Sequence, residues 1–150
     1  MTVTSHRESE DMISHNTIGK SLPRVDARGK VTGEALYSGD LSLPDMLHMK
    51  ILFSDRPHAR VLSIDTGKAE SAPGVVAIYT ARDVPVNEYG LQWQDQPVLC
   101  GPGSSKPGTD IVRFVGDKIA AVVARTEGEA AAAVRLIQVE YQDLPVVTDP

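Results

Sequence analysis

Four histidines and one cysteine, His6, His15, His48, His58 and Cys100, are the first candidates for metal chemistry in this 150-residue chain. Their spacings match neither paired Cys-x-x-Cys nor His-x-x-x-His, the compact patterns that hold zinc. Surface or locally hydrogen-bonded histidines are the simpler reading. The stretch Gly101-Pro-Gly-Ser-Ser-Lys-Pro-Gly108 has the glycine content of a phosphate cradle. It lacks the P-loop spacing of Gly, four residues, then Gly-Lys-Ser/Thr. Pro102 and Pro107 remove N–H donors that a cradle would use, no helix follows, and a flexible or partner-docking loop fits better.

Paired carboxylates could do general acid–base work. Asp55, Asp65, Asp83, Asp95, Asp110 and Asp117 instead sit at turns and element ends, where Asp is favoured structurally. Cys100, Ser104 and Ser105 could be nucleophiles, but neither an elbow motif nor a base accompanies them. Trp93, with Tyr89 and Gln92 in the same loop, could line a pocket or anchor an interface, and the interface role is preferred. No catalytic, cofactor-binding or metal-binding residue is assigned.

The elements that would position these residues follow from periodicity. Met1 to Asn16 reads as a polar leader within a disordered segment 1–17, without the apolar h-region of a secretory signal. Thr17 to Gly33 reads as an irregular segment able to lie along a partner, and Glu34 to Ser38 as a short strand. Met46 to Phe53 alternates: Leu47, Met49, Ile51 and Phe53 share one face, while Met46, His48, Lys50 and Leu52 form a mainly polar one. Ala59 to Asp65 alternates again. Gly67 to Ala72 is a short helical turn stopped by Pro73-Gly74, and Val75 to Tyr79 a β-branched strand buried on both faces. Thr80 to Val84 opens one helical turn with Thr80 as cap and Asp83 at the third position.

Pro85 to Asp110 is a long irregular loop, of the kind that is usually functional or disordered. Ile111 to Val115 and Lys118 to Ala124 read as a hairpin around Gly116-Asp117. Thr126 to Leu136 is the clearest helix, with Thr126 and Glu129 spaced as a capping box and four alanines following. Ile137 to Tyr141 closes the domain. The mixed order predicts an α+β fold rather than a doubly wound sheet, with one long C-terminal helix and one short helix among short strands.

Composition narrows the function classes. Fifteen basic against twenty acidic residues leave a formal charge of −5, which disfavours nucleic acid and anionic membranes as partners. No apolar run approaches the ~20 residues of a membrane span. A single cysteine excludes an intrachain disulfide and suits a reducing cytoplasm.

Several stretches together resemble a known family. They are Ile18-Gly-Lys-Ser-Leu-Pro-Arg-Val-Asp26; Lys30-Val-Thr-Gly33 with Tyr37 and Asp40-Leu41; Pro44-Asp-Met-Leu-His48; Pro57-His-Ala-Arg-Val61 with Ile64-Asp65; and Pro73-Gly-Val-Val76. Val112-Arg-Phe-Val-Gly116 then runs into Ala120-Ala-Val-Val-Ala124, followed by Val139-Glu-Tyr141 and Leu144-Pro145. Each motif is short, and their order and spacing carry the match. Together they resemble the N-terminal α/β-hammerhead domain of the molybdopterin-binding large subunit in the xanthine dehydrogenase/aldehyde oxidase family.

The resemblance implies a hammerhead domain over 18–145, with 146–150 starting a linker to molybdopterin-binding domains. Such enzymes hydroxylate aldehydes or N-heterocycles at a molybdenum centre on a pterin dithiolene and pass electrons through [2Fe–2S] clusters, commonly to FAD. The family's pterin-contacting segments and catalytic glutamate lie downstream of the hammerhead, so no residue here aligns with them. The expectation is therefore a domain inactive and cofactor-free by itself, assembling with molybdopterin-binding and iron–sulfur parts and with an FAD subunit. The alternatives are a stand-alone binding or scaffold module reusing the fold, and a small enzyme built on the loop Glu88 to Asp110.

Overall fold

Period-two alternation organises six short strands paired antiparallel. The protein is described here by a computed structural model covering residues 17–147 and 149. All of the expected leader but Thr17, and two residues of the expected linker, lie outside the described residues. The chain divides into two units, Met1–Ser42 and Leu43–Pro150.

In the first unit, helix α1 spans Ala27–Thr32 and ends at Gly33, whose φ of 78° is the left-handed C-cap that glycine accepts without strain. Asp26 precedes it and pairs with Lys30 at 2.8 Å and Arg24 at 2.5 Å. This corrects the irregular reading of Thr17 to Gly33. Gly29, Val31 and Thr32 are poor helix formers, so propensity hid a turn held by local ion pairs and a glycine stop. Glu34 to Ser38 is no strand: residues 38–40 form a single 3-10 turn, with the Tyr37 N–H donating to Asp40 at 2.9 Å.

The second unit carries two three-stranded antiparallel sheets. Strands β1 (His48–Phe53), β2 (Ala59–Asp65), β3 (Val75–Tyr79), β4 (Ile111–Val112), β5 (Lys118–Ala124) and β6 (Gln138–Asp143) are joined by α2 (Gly67–Glu70) and α3 (Glu127–Val134). The first sheet has the order β1-β5-β3 and the second β4-β2-β6. Helix α3 lies on the first sheet, against all three of its strands. One core draws on both sheets and both helices: Val61, Ile64 and Val112 from the second sheet, Ile119, Ala120 and Val122 from the first, Ala69 from α2 and Ala133 from α3, with Cys100 and Ile137. Each large aliphatic side chain buried there contributes roughly 1.5–3 kcal/mol.

Local chemistry explains the boundaries. Thr126 caps α3 as its spacing predicts: the Glu129 N–H donates to Thr126 Oγ1 at 3.2 Å, and the Thr126 N–H donates to Glu129 Oε2 at 2.9 Å. The Glu129 carboxylate lies over Gly74, where an added Cβ would stand 2.0 Å from its carbon and the backbone has a φ of 77°. The glycine thus lets the turn into β3 pass directly beneath the cap. Thr80 and Asp83 build the same reciprocal cap on their one-turn 3-10 helix. In β2 a register shift between Val61 and Ser63 explains how Val61 and Ile64, three apart, both face inward.

Two strand assignments need correction. Ile111 to Val115 and Lys118 to Ala124 do not form a hairpin: β4 pairs with Ala59 and Arg60 in the second sheet, while β5 is the central strand of the first. Gly116, at a φ of 102°, donates to Ser54 O, and the Asp117 side chain accepts the Arg113 N–H, so the chain crosses between sheets in one tight turn. The strand buried on both sides is β5 rather than β3; β3 is an edge strand with Val76 and Tyr79 exposed. No helix among the described residues is long and apolar enough to cross a membrane.

Candidate functional site

The fold disperses the candidate chemical groups and engages most of them locally. His48 lies in β1, and His58 Nδ1 is 2.7 Å from the Pro145 carbonyl oxygen. His6 and His15 lie outside the described residues. Cys100 is fully buried, and burial, reinforced by the nearby Asp117 charge, pushes its thiol up to about 12. A thiol held protonated and away from solvent is not an activated nucleophile. Among the described residues no three His, Cys, Asp or Glu side chains converge as a metal site would require.

The carboxylates are equally occupied. Asp65 accepts the Gly67 N–H at 3.0 Å, Asp83 the Thr80 N–H at 2.8 Å, and the buried Asp117 the N–H groups of Arg113 and Lys118, each at 3.2 Å. Asp110 pairs with Arg60 across two strands, and Asp55 lies 3.4 Å from Arg56. These are the backbone-capping and ion-pair roles that turn carboxylates usually fill. In the Gly101–Gly108 stretch the Ser104 hydroxyl accepts the Lys106 N–H at 3.3 Å. The Lys106 ammonium turns back to Glu88 and to the Gln94 carbonyl, each at 2.5 Å. The one cation of the stretch therefore braces the loop.

What the structure does assemble is a contrast of surfaces. On the first sheet the row Val75, Ile78, Ala120, Val122 and Leu52 packs into the core beneath α3. The opposite row runs Met49–Val123–Ala77 and Ile51–Ala121–Tyr79 across the three strands, with Phe53 at its end. Met49 is 61% exposed, Phe53 55% and Tyr79 47%. This apolar row could be read from the alternation of β1, but which face of β1 turned inward could not. The inward face is the polar-looking one, because Lys50 reaches Glu127 at the start of α3 (2.5 Å) while Leu52 meets the core. That ammonium holds the Glu127 carboxyl below its usual range. Clustered exposed apolar side chains of this kind are a feature of interaction sites.

The second sheet faces outward with Arg60, Gln142, Ser63 and Glu140, paired across β2 and β6. The Ser63 hydroxyl donates to Glu140 at 3.1 Å. Trp93 stands 80% exposed at the tip of the long loop, and Tyr89 lies under the Lys118 ammonium, 4.4 Å from the ring centroid.

Residues 32–145 match the family described as aldehyde oxidase and xanthine dehydrogenase, a/b hammerhead domain. Over 131 residues the chain is 52% identical to a probable xanthine dehydrogenase subunit of Bacillus subtilis (strain 168), covering 87% of this chain and 16% of that protein. The solved CO dehydrogenase from Oligotropha carboxidovorans superposes with a TM-score of 0.76 at 35% identity, over 87% of this chain and 16% of that one. Quinoline 2-oxidoreductase from Pseudomonas putida 86 superposes at 0.72 and 37% identity, over 87% and 17%. The chain thus spans about one-sixth of the length of these relatives.

Proposed function

The chain belongs to the aldehyde oxidase and xanthine dehydrogenase family, as its a/b hammerhead domain, and from that premise we propose that it is the packing domain of a molybdenum hydroxylase acting on aldehydes or N-heterocycles. In this reading residues 18–145 form the domain, 1–17 a leader, and 146–150 the start of a linker to molybdopterin-binding domains. Its role is to seat the catalytic parts and the iron–sulfur partner, not to perform the chemistry.

The observation that carries this reading is the apolar face of the first sheet, where Met49, Phe53 and Tyr79 stand exposed beside the half-buried Ile51 and Val123, on a domain whose core is already filled by the other face. Such surface is stabilised when a partner covers it, at about 25 cal/mol per Å² of apolar area.

The chain does not supply the ligands of an iron–sulfur cluster. A [2Fe–2S] cluster takes four protein ligands, cysteines as a rule; the chain has one cysteine, and it is buried and protonated. The loop at Gly101–Gly108 directs its lysine inward, and two prolines interrupt its N–H groups. We therefore place molybdopterin, iron–sulfur and FAD chemistry on other parts of the complex, and no reaction step passes through these residues.

The test is direct. Purified alone, the chain is expected to carry no molybdenum and to reduce no dye with aldehyde or N-heterocycle. Added to the Bacillus subtilis relative's chain from which the matching segment has been removed, it is expected to bind. Robust substrate-dependent reduction by the isolated chain would overturn the proposal, and failure to bind would favour a stand-alone scaffold module.

A further inference from the structure

The loop between Asn87 and Leu99 is braced at every level, yet it presents large apolar side chains to solvent. At its base the buried Asn87 carboxamide spans the two arms, donating to the Leu99 carbonyl at 2.8 Å and accepting the Leu99 N–H at 3.0 Å. One step outward Tyr89 and Gln96 exchange both backbone hydrogen bonds, at 2.8 and 3.1 Å. The Lys106 ammonium ties Glu88 to the Gln94 carbonyl, and Lys118 covers the Tyr89 ring. At Gly90 a Cβ would fall 1.7 Å from the Trp93 carbonyl oxygen, so only glycine lets the tip close on itself. Above these braces Leu91 is fully exposed and Trp93 nearly so.

A side chain held out by a pre-ordered loop loses little conformational freedom on binding, and tryptophan is among the residues that dominate interface energies. We propose that the Gly90–Asp95 tip is an anchoring peg, with Leu91 and Trp93 entering an apolar socket on the molybdopterin-binding remainder of the large subunit. The proposal rests on the function assigned above.

Two observations select that occupant. The relatives carry about five-sixths of their length outside the matching region, ample chain to form a socket. No lysine or arginine lies between Glu88 and Ser105, and the chain is acidic, which argues against an anionic membrane.

Trp93 is the sole tryptophan, so 5-fluorotryptophan gives one fluorine resonance from this chain. The probe is the Bacillus subtilis relative's chain without its matching segment, unlabelled. On complex formation the resonance is expected to shift and to lose its H₂O/D₂O isotope shift. Trp93→Ala is expected to raise Kd about thirtyfold, the scale of an interface hot spot, and Trp93→Phe to keep most of the affinity. A complex in which Trp93 stays solvent-exposed, or in which Trp93→Ala binds as the parent does, overturns the peg but not the packing function. A shift that follows this chain's own concentration without the probe gives the tip to a second copy and overturns the socket. Absence of any complex overturns both.

Discussion

The two sheets of the second unit have equal strand numbers and share one core, but they meet solvent in opposite ways. The β4-β2-β6 sheet turns Arg60, Ser63, Glu140 and Gln142 outward and buries Val61, Ile64 and Val112. That is the ordinary division of labour for an antiparallel sheet with one wet face. The β1-β5-β3 sheet is apolar on both faces: Val122 and Ala120 lie under α3, while Met49, Phe53 and Tyr79 stand open. Both helices and the second sheet share the core on one face of this sheet, and the exposed apolar side chains of the other face are the ground for proposing a partner there. The first sheet thus carries the argument for assembly, and the second shows what a finished outer surface of the same domain looks like.

The sharpest test of that contrast pairs a residue of the shared core with one of the open face. Ile119→Ala, fully buried, is expected to lower stability by about 2–5 kcal/mol in urea unfolding. Phe53→Ser, on the open face, is expected to change stability by about 0.5 kcal/mol or less while reducing affinity for the rest of a large subunit. Equal stability losses at both sites would erase the distinction between core and docking face. Asn87→Ala leaves the buried Leu99 N–H and carbonyl unpaired, an expected loss of about 1–3 kcal/mol. It should also free the loop tip, read as faster amide exchange from Tyr89 to Gln96. Thr126→Ala removes the cap that seats α3 on the covered face and is expected to cost about 1 kcal/mol; an unchanged melting midpoint would contradict the helix start.

The last effect appears only at high pH. Because the Cys100 thiol is raised from its ordinary 9.0 to about 12, the folded state holds its proton where the unfolded chain has lost it. Its contribution is complete below about pH 9 and declines as pH rises towards 12. Alkylation of native protein at pH 8 should accordingly be far slower than in urea.

Legibility in the sequence divided between local signals and long-range ones. Local signals were plain: the Thr126–Glu129 and Thr80–Asp83 spacings foretold caps that the structure forms, and Val75 to Tyr79 has the predicted bounds. The ordered short motifs foretold the family. Long-range assignments were hidden. Ile111 to Val115 looked like the partner of β5 because a Gly-Asp turn stood between them, but sheet membership depends on pairing across some fifty residues, with Ala59 and Arg60. The inward face of β1 was hidden because Lys50 finds an acidic partner on α3 and needs no solvent-facing row. Helix α1 was hidden by its poor helix formers. Of the candidate loop, the exposed Trp93 could be singled out from sequence, whereas the brace at Asn87 and Leu99 could not, since nothing local marks a buried carboxamide.

The central claim, that the open sheet face is where this domain meets the rest of its enzyme, is tested most directly by hydroxyl-radical footprinting of the chain alone and bound to the Bacillus subtilis relative's remaining chain. The account predicts strong protection of Met49, Phe53 and Tyr79 in the complex, with Arg60, Glu140 and Gln142 unchanged. Protection of the second sheet's polar face with Met49 and Phe53 still reactive would contradict it.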